Sequence, residues 1–182
     1  MAKVSVFLVD GFETVEALAV VDVLRRAKVN VETISLMDSK DVVSAQKIKV
    51  TADIMLWEAS FSDSDLLFVP GGGGYKLINE DEKAKNIIRS FVEKDKYIAA
   101  ICAAPSIFGQ MGLLKGKKAT CFPGFEDKLE GAQYSSEKVV RDGKIITSKG
   151  MGTSIDLGLE LVGILVGEEE KISIGKSIQY LP

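Results

Sequence analysis

Two residues have the type and setting to do chemistry. Cys102 closes an apolar run and opens a small-residue turn, Ala99-Ala100-Ile101-Cys102-Ala103-Ala104-Pro105. At a junction where a strand feeds a helix, a sulfur faces unpaired amides and partial positive charge, which favour thiolate over thiol. Small neighbours permit the sharp turn of a nucleophile elbow. The competing reading is a buried cysteine serving as a small hydrophobe. Glu16 lies in the first turn of a helical pattern, Glu13-Thr14-Val15-Glu16-Ala17-Leu18. There it could complement the helix dipole or take part in a cap. Its neighbours are largely apolar, so it could instead point inward. A carboxyl buried beside a thiolate would keep its proton, and could donate a hydrogen bond or shuttle that proton.

The rest of the chemical inventory is thinner. Gly71–Gly74 follows an apolar run but lacks the Gly-Lys-Ser/Thr of a P-loop and the spacing of a dinucleotide fingerprint. Four glycines let backbone amides approach a ligand closely, as in an oxyanion site, or they form a plain flexible turn. Cys121, in Thr120-Cys121-Phe122-Pro123, reads as structural or accessory. Lys149–Ser154 reads as a loop entering a helix, a place where an anion could rest. The two cysteines lack metal-ligand spacing and are too few for a disulfide framework. The chain has no histidine. That excludes a Ser-His-Asp triad, a Cys-His dyad and any His-ligated metal within one chain, leaving thiol, carboxylate, lysine, hydroxyl and backbone groups.

Short apolar runs alternating with helical patterns must position these residues. Val4–Val9, Val29–Leu36, Leu66–Val69, Tyr97–Ile101, Lys118–Thr120 and Lys144–Ser148 read as strands. Thr14–Lys28, Lys83–Lys94 and Thr153–Val166 read as helices, with a further helix starting at Pro105. Residues 37–56 read as an antiparallel hairpin or excursion. Gly158 and Gly163 suggest close packing of the last helix against the sheet, and Glu168–Glu170 a solvated turn after it. Strand–helix alternation indicates a largely parallel sheet with helices on both faces. Ligands of such sheets meet the loops at the carboxyl ends of the strands, here Asp10–Glu16, Gly71–Gly74 and Cys102–Pro105.

At 182 residues with 46% apolar content, the chain suits a single domain, 1–182, with a proper core. Its 23 basic and 26 acidic residues form no block of one sign, which argues against nucleic acid or an anionic membrane as partner. Met1–Asp10 is too short and too soon interrupted for a signal peptide, and no apolar run approaches ~18 residues. A cytoplasmic protein with free thiols is expected.

Taken in order, Asp10-Gly11-Phe12-Glu13-Thr14-Val15-Glu16, Val69-Pro70-Gly71-Gly72, Ala100-Ile101-Cys102-Ala103-Ala104-Pro105 and Thr147-Ser148-Lys149-Gly150-Met151-Gly152-Thr153 resemble the DJ-1/ThiJ/PfpI superfamily over nearly the whole chain. The resemblance implies a flavodoxin-like three-layer sandwich, usually a homodimer, with the cysteine on a strained elbow. It implies that Cys102 is the nucleophilic, oxidisable thiol and Glu16 the protonated glutamate, with backbone donors at Gly72 and Ala103. Asp22, Val23, Arg25 and Arg26 match the helix end where an arginine often serves the dimer interface.

The chain departs from the family at two positions. Ala103 stands where the peptidase-like and chaperone branches have histidine, and Phe122 precedes Pro123 where the branch nearest DJ-1 often has histidine. A cysteine protease is therefore disfavoured, and the bacterial ThiJ-type subgroup fits better. For function the resemblance implies a cofactor-independent, cysteine-dependent enzyme acting on reactive α-oxoaldehydes, of glyoxalase III or deglycase type. The alternative is an oxidative-stress sensor or protective protein whose cysteine is oxidised without turnover. The implied partner is a small reactive carbonyl or an oxidant.

Overall fold

The computed structural model describes residues 1–181. Strands β1 (Lys3–Leu8), β2 (Asn30–Ser35), β5 (Ile54–Met55), β6 (Leu66–Val69), β7 (Tyr97–Ile101), β10 (Val139–Asp142) and β11 (Ile145–Ser148) form one sheet in the order β10-β11-β7-β6-β1-β2-β5. Every neighbouring pair is parallel except β10 with β11. The hairpin of β3 (Asp41–Val43) and β4 (Lys49–Thr51) and the short parallel pair β8 (Lys118–Ala119) and β9 (Gln133–Tyr134) lie outside it.

Alternation along the strands sends side chains to opposite faces. Val4, Val6, Leu8, Leu66, Phe68, Ala99, Ile101 and Ile146 share one core with α1 (Thr14–Arg26) and α5 (Ser154–Leu165). Phe7, Val9, Leu67, Val69, Ile98, Ala100 and Ile145 share the other with α2 (Tyr75–Glu80), α3 (Glu82–Glu93) and α4 (Pro105–Gln110). All four side chains of β6 are buried. A strand covered on both faces reads as a continuous apolar run for this reason. At about 1.5–3 kcal/mol for each large side chain buried, these two layers hold the sheet between helices. The result is a three-layer, mostly parallel α/β sandwich of the flavodoxin-like class.

The excursion between β2 and β5 positions the start of α1. The Gly11 amide donates to the Val43 carbonyl at 2.8 Å, and the Ala45 amide to that of Phe12 at 2.9 Å. The Val43 amide donates to Asp10 Oδ1 at 2.8 Å, and Thr14 Oγ1 to Ser44 Oγ at 2.8 Å. The hairpin thus ties down the loop that delivers Glu16.

Two local expectations are corrected and two further elements appear. Glu168–Glu170 is the first turn of a further helix, α6 (Glu168–Ser177), where three carboxylates suit the positive end of the dipole. Tyr75–Glu80 is helical, directly after the glycine run. Asp142 pairs with Ile145 across a two-residue turn in which Gly143 takes φ 62°, so the Asp-Gly pair marks a hairpin that the sequence reading passed over. The glycines of α5 face helices, not the sheet. A Cβ on Gly158 would lie 3.0 Å from Val23 Cβ of α1, and one on Gly163 would lie 3.0 Å from Lys171 Cδ of α6.

The α1–α5 contact therefore has no room for a branched side chain at Gly158. Gly158→Val is expected to destabilise the protein by about 2 kcal/mol or more through overpacking, read by urea denaturation. Gly152→Ala, whose new Cβ would meet nothing within 4 Å, should leave the midpoint nearly unchanged.

Candidate functional site

Glu13 decides where Glu16 points. It occupies the N-cap of α1, and its carboxylate accepts the Glu16 amide at 2.7 Å. With the cap taken, the Glu16 side chain turns inward and is 1% exposed. Its Oε2 accepts the Gly71 amide at 3.0 Å, and the Met151 amide also donates to the carboxyl. The capping and inward readings thus belong to two different glutamates.

Cys102 follows β7 immediately and adopts φ 66°. For a residue with a Cβ, this left-handed conformation costs about 1–3 kcal/mol and persists only where the surroundings fix it. Two hydrogen bonds do so: the Cys102 amide donates to the Ser148 carbonyl at 3.0 Å, and the Cys102 carbonyl accepts the Phe122 amide at 2.8 Å. The elbow turns the sulfur toward Glu16, with which it forms a side-chain hydrogen bond, and toward the amides of Gly72 and Ala103. All four residues singled out from the sequence, Cys102, Glu16, Gly72 and Ala103, therefore meet at one point at the carboxyl end of the sheet.

Gly71 makes this meeting sterically possible. A Cβ there would lie 2.5 Å from Glu16 Oε2 and 2.6 Å from Cys102 Cβ. The glycine run is not a loose turn, because its amides are committed. That of Gly71 goes to Glu16, that of Gly72 to Cys102, and that of Gly74 to the Gly11 carbonyl at 2.9 Å. The Lys149–Ser154 loop is engaged in the same way. Its Met151 amide faces the Glu16 carboxyl, so the anion it serves is a side chain of the protein.

Burial dominates the electrostatics. It raises the Glu16 carboxyl to about 7, with the nearby Glu13 charge adding to the rise and the donors at Cys102, Gly71 and Met151 opposing it. Burial also pushes the Cys102 thiol up to about 12, reinforced by the charge and hydrogen bond of Glu16 and opposed by the amides of Gly72 and Ala103. The amides at the helix start do favour the thiolate, as expected, but they are outweighed. The helix α4 has only six residues, and desolvation outweighs its amides. The two acids titrate as a pair. When Glu16 keeps its proton, the carboxylate charge that holds the thiol up is gone, and the hydrogen bond runs from carboxyl to sulfur. Once the pair has lost the first of its two protons, the remaining proton and one negative charge are shared between carboxyl and sulfur.

Cys121 is fully buried in the core beside α4, and its thiol is pushed up to about 12 by burial and the Glu126 charge. Its neighbour Phe122 is the residue that the sequence reading left without a role in the site. The Phe122 ring lies against Gly150 and is 46% exposed. Together with Pro123, Lys149, Met151 and Thr153 it lines an open groove beside the pair. Among the described residues, no group of three or more His, Cys, Asp or Glu is arranged to hold a metal ion.

The DJ-1/PfpI family model matches residues 2–163. The chain belongs to the DJ-1/PfpI family. It is 41% identical over 177 residues to protein DJ-1 homolog B of Arabidopsis thaliana, covering 96% of this chain and 40% of that protein. It thus spans less than half the length of that plant relative. Among solved structures, a DJ-1 superfamily protein from Salmonella typhimurium, crystallised as a cysteine-to-alanine mutant, superposes with a TM-score of 0.95 at 32% identity over 100% of both chains. Oxidised DJ-1 of Toxoplasma gondii superposes equally well, with a TM-score of 0.95 at 29% identity over 99% of each chain.

A carboxyl raised on folding stabilises the native state fully below its unfolded pKa, and that contribution is lost as pH rises through the folded value. Glu16 rises from an ordinary 4.5 to about 7. The stability of the wild type relative to Glu16→Gln should therefore fall by about 3 kcal/mol between about pH 4.5 and pH 8, then level off. Urea denaturation of both proteins across that range measures it.

Proposed function

We propose that the protein is a cysteine-dependent enzyme that needs no cofactor and converts reactive α-oxoaldehydes to 2-hydroxy acids. One observation carries this reading. A carboxyl poised to hold or release a proton near neutrality is hydrogen-bonded to the nucleophilic sulfur. In a chain without histidine, that carboxyl can serve as both general acid and general base.

The chemistry is redox-neutral overall. Cys102 Sγ adds to the aldehyde carbon, and the carbonyl π pair moves to oxygen, which takes a proton from Glu16 to give a hemithioacetal. The amides of Gly72 and Ala103 lie beside the sulfur, where they can take up charge as it leaves sulfur for oxygen. The Glu16 carboxylate then removes the hydrogen from the former aldehyde carbon to give an enediol, the neighbouring ketone oxygen gaining a proton as the first hydroxyl gives up its own, and Glu16 returns its proton to the adjacent carbon. The first carbon is oxidised as the second is reduced, giving the thioester of a 2-hydroxy acid. Water cleaves the thioester, releasing the acid and restoring the thiol.

A second reading draws on the same geometry. Glu16 and the two amides direct three donors at the sulfur, a set suited to holding the oxygens of a sulfinate. One similar structure is of an oxidised DJ-1. In this reading the protein senses or absorbs oxidant without turnover. Under either reading a homodimer is proposed from the family resemblance. Arg25 and Arg26 pair with Asp53 and Asp22 within the chain, so a dimer contact that used these arginines would share or displace those pairs. No helix among the described residues is long and apolar enough to cross a membrane.

Proton NMR of methylglyoxal with purified protein, without glutathione, separates the two readings. Turnover predicts many equivalents of lactate per protein, abolished in Cys102→Ser and reduced at least about a hundredfold in Glu16→Gln, the usual scale for loss of a general acid–base. Consumption of one equivalent or less by the wild type overturns the enzyme reading in favour of the redox one.

A further inference from the structure

Phe122 and Glu16 converge on one point from different elements. A Cβ built on Gly150 would lie 3.3 Å from Phe122 Cδ2 and 3.8 Å from Glu16 Oε1. Residue 150 itself puts no side chain between the ring and the carboxyl. The ring is held there through its backbone: the Phe122 amide donates to the Cys102 carbonyl at 2.8 Å, and the Phe122 carbonyl accepts the Phe125 amide at 3.1 Å. Phe122 is thus tied to the elbow that carries the thiol. The ring itself is nearly half exposed. A large aromatic left half in water, on a loop, beside a carboxyl that is 1% exposed, is placed to exclude water and contributes little to the core.

We infer that Phe122 is a positioning residue whose ring, closed against Gly150, keeps water off the Glu16 carboxyl and so sets the pH at which the Glu16–Cys102 pair ionises. The inference rests on the reading of that pair as the reactive centre, but not on any particular substrate.

The charged groups around Glu16 support an apolar control. From its own helix it faces the Glu13 carboxylate, from the elbow the Cys102 thiol, and from the loops only the amides of Gly71 and Met151. Lys149, the nearest basic residue in sequence to the Met151 loop, sends its Nζ to the Ser136 carbonyl at 3.3 Å, and Lys138 pairs with Asp156 at 3.4 Å. No cation is identified as compensating the carboxylate, so access of water is the variable left to tune its ionisation. A side chain with its own proton at position 122 would act on the pair chemically. Phenylalanine acts only by exclusion.

The test is carbon-13 NMR of the glutamate side-chain carboxyls across pH, with Glu16 assigned by loss of its signal in Glu16→Gln. In Phe122→Ala and Phe122→Ser the Glu16 midpoint should move down by about one pH unit or more, the scale on which desolvation shifts a carboxyl. Phe122→Leu, which restores apolar bulk, should return it close to the wild-type value. Because Phe122 lies on a loop outside the two cores, the variants should unfold in one cooperative step like the wild type. An unchanged midpoint in both truncations overturns the inference, as does a shift in Phe122→Leu equal to that in Phe122→Ala. Absence of methylglyoxal turnover would count against the proposed reaction and leave this titration result standing.

Discussion

The hydrogen bond between Glu16 and Cys102 is the constraint on which the site depends. It joins a buried carboxyl to a half-buried thiol, and neither ionises at its usual pH. A buried charge with no partner is costly, and the hydrogen bond makes each group the other's partner. The fold supplies what this arrangement needs: a cap on α1 that is not Glu16, a glycine at position 71, and an elbow that carries Cys102 past the end of β7. Each comes from a different stretch of chain. The doubly covered sheet brings them together, since parallel strands β6 and β7 end side by side.

Much of this was legible in the sequence, for identifiable reasons. Leu66–Val69 and Tyr97–Ile101 were readable to the residue because central parallel strands are apolar without interruption. Edge β10 was not, because Val139-Val140-Arg141-Asp142 is half polar and its only signal was the Asp-Gly turn after it. Helix α6 was hidden by its own acidic first turn, which reads equally well as a solvated loop. The meeting of Cys102, Glu16, Gly72 and Ala103 followed from topology and from the family motifs. The electrostatics did not. A sequence displays the helix that follows Cys102, but not the depth at which the sulfur lies, and here burial outweighs the amides of a short helix. Nor could spacing reveal Phe122, whose ring lies against Gly150 only because two loops far apart in sequence meet there.

The absence of histidine gives the carboxyl its weight. An imidazole beside a thiol would draw the proton off at neutral pH and leave a thiolate–imidazolium pair. Here, among the described residues, the side chain hydrogen-bonded to the sulfur is an acid, so the pair after losing one proton carries one negative charge in place of a zwitterion. Its reactivity then depends on how that charge divides between oxygen and sulfur. The Gly72 and Ala103 amides favour sulfur, while any water reaching Glu16 favours oxygen. The dryness of the carboxyl is therefore part of the nucleophile.

Cys121 shows why titration alone does not locate chemistry. Both thiols are pushed up to about 12, and both are mainly raised by burial. What differs is the surroundings. Cys121 sits in the apolar layer next to α4, and the charge nearest its thiol is a carboxylate, Glu126. Cys102 sits in a strained left-handed conformation that only its two backbone hydrogen bonds maintain. It has two amides and an exchangeable proton aimed at its sulfur. A fold under no demand at this position would relax the elbow by placing glycine there. Retaining a side chain at φ 66° expends conformational energy to point a sulfur at a carboxyl, and among the two cysteines only Cys102 bears that cost.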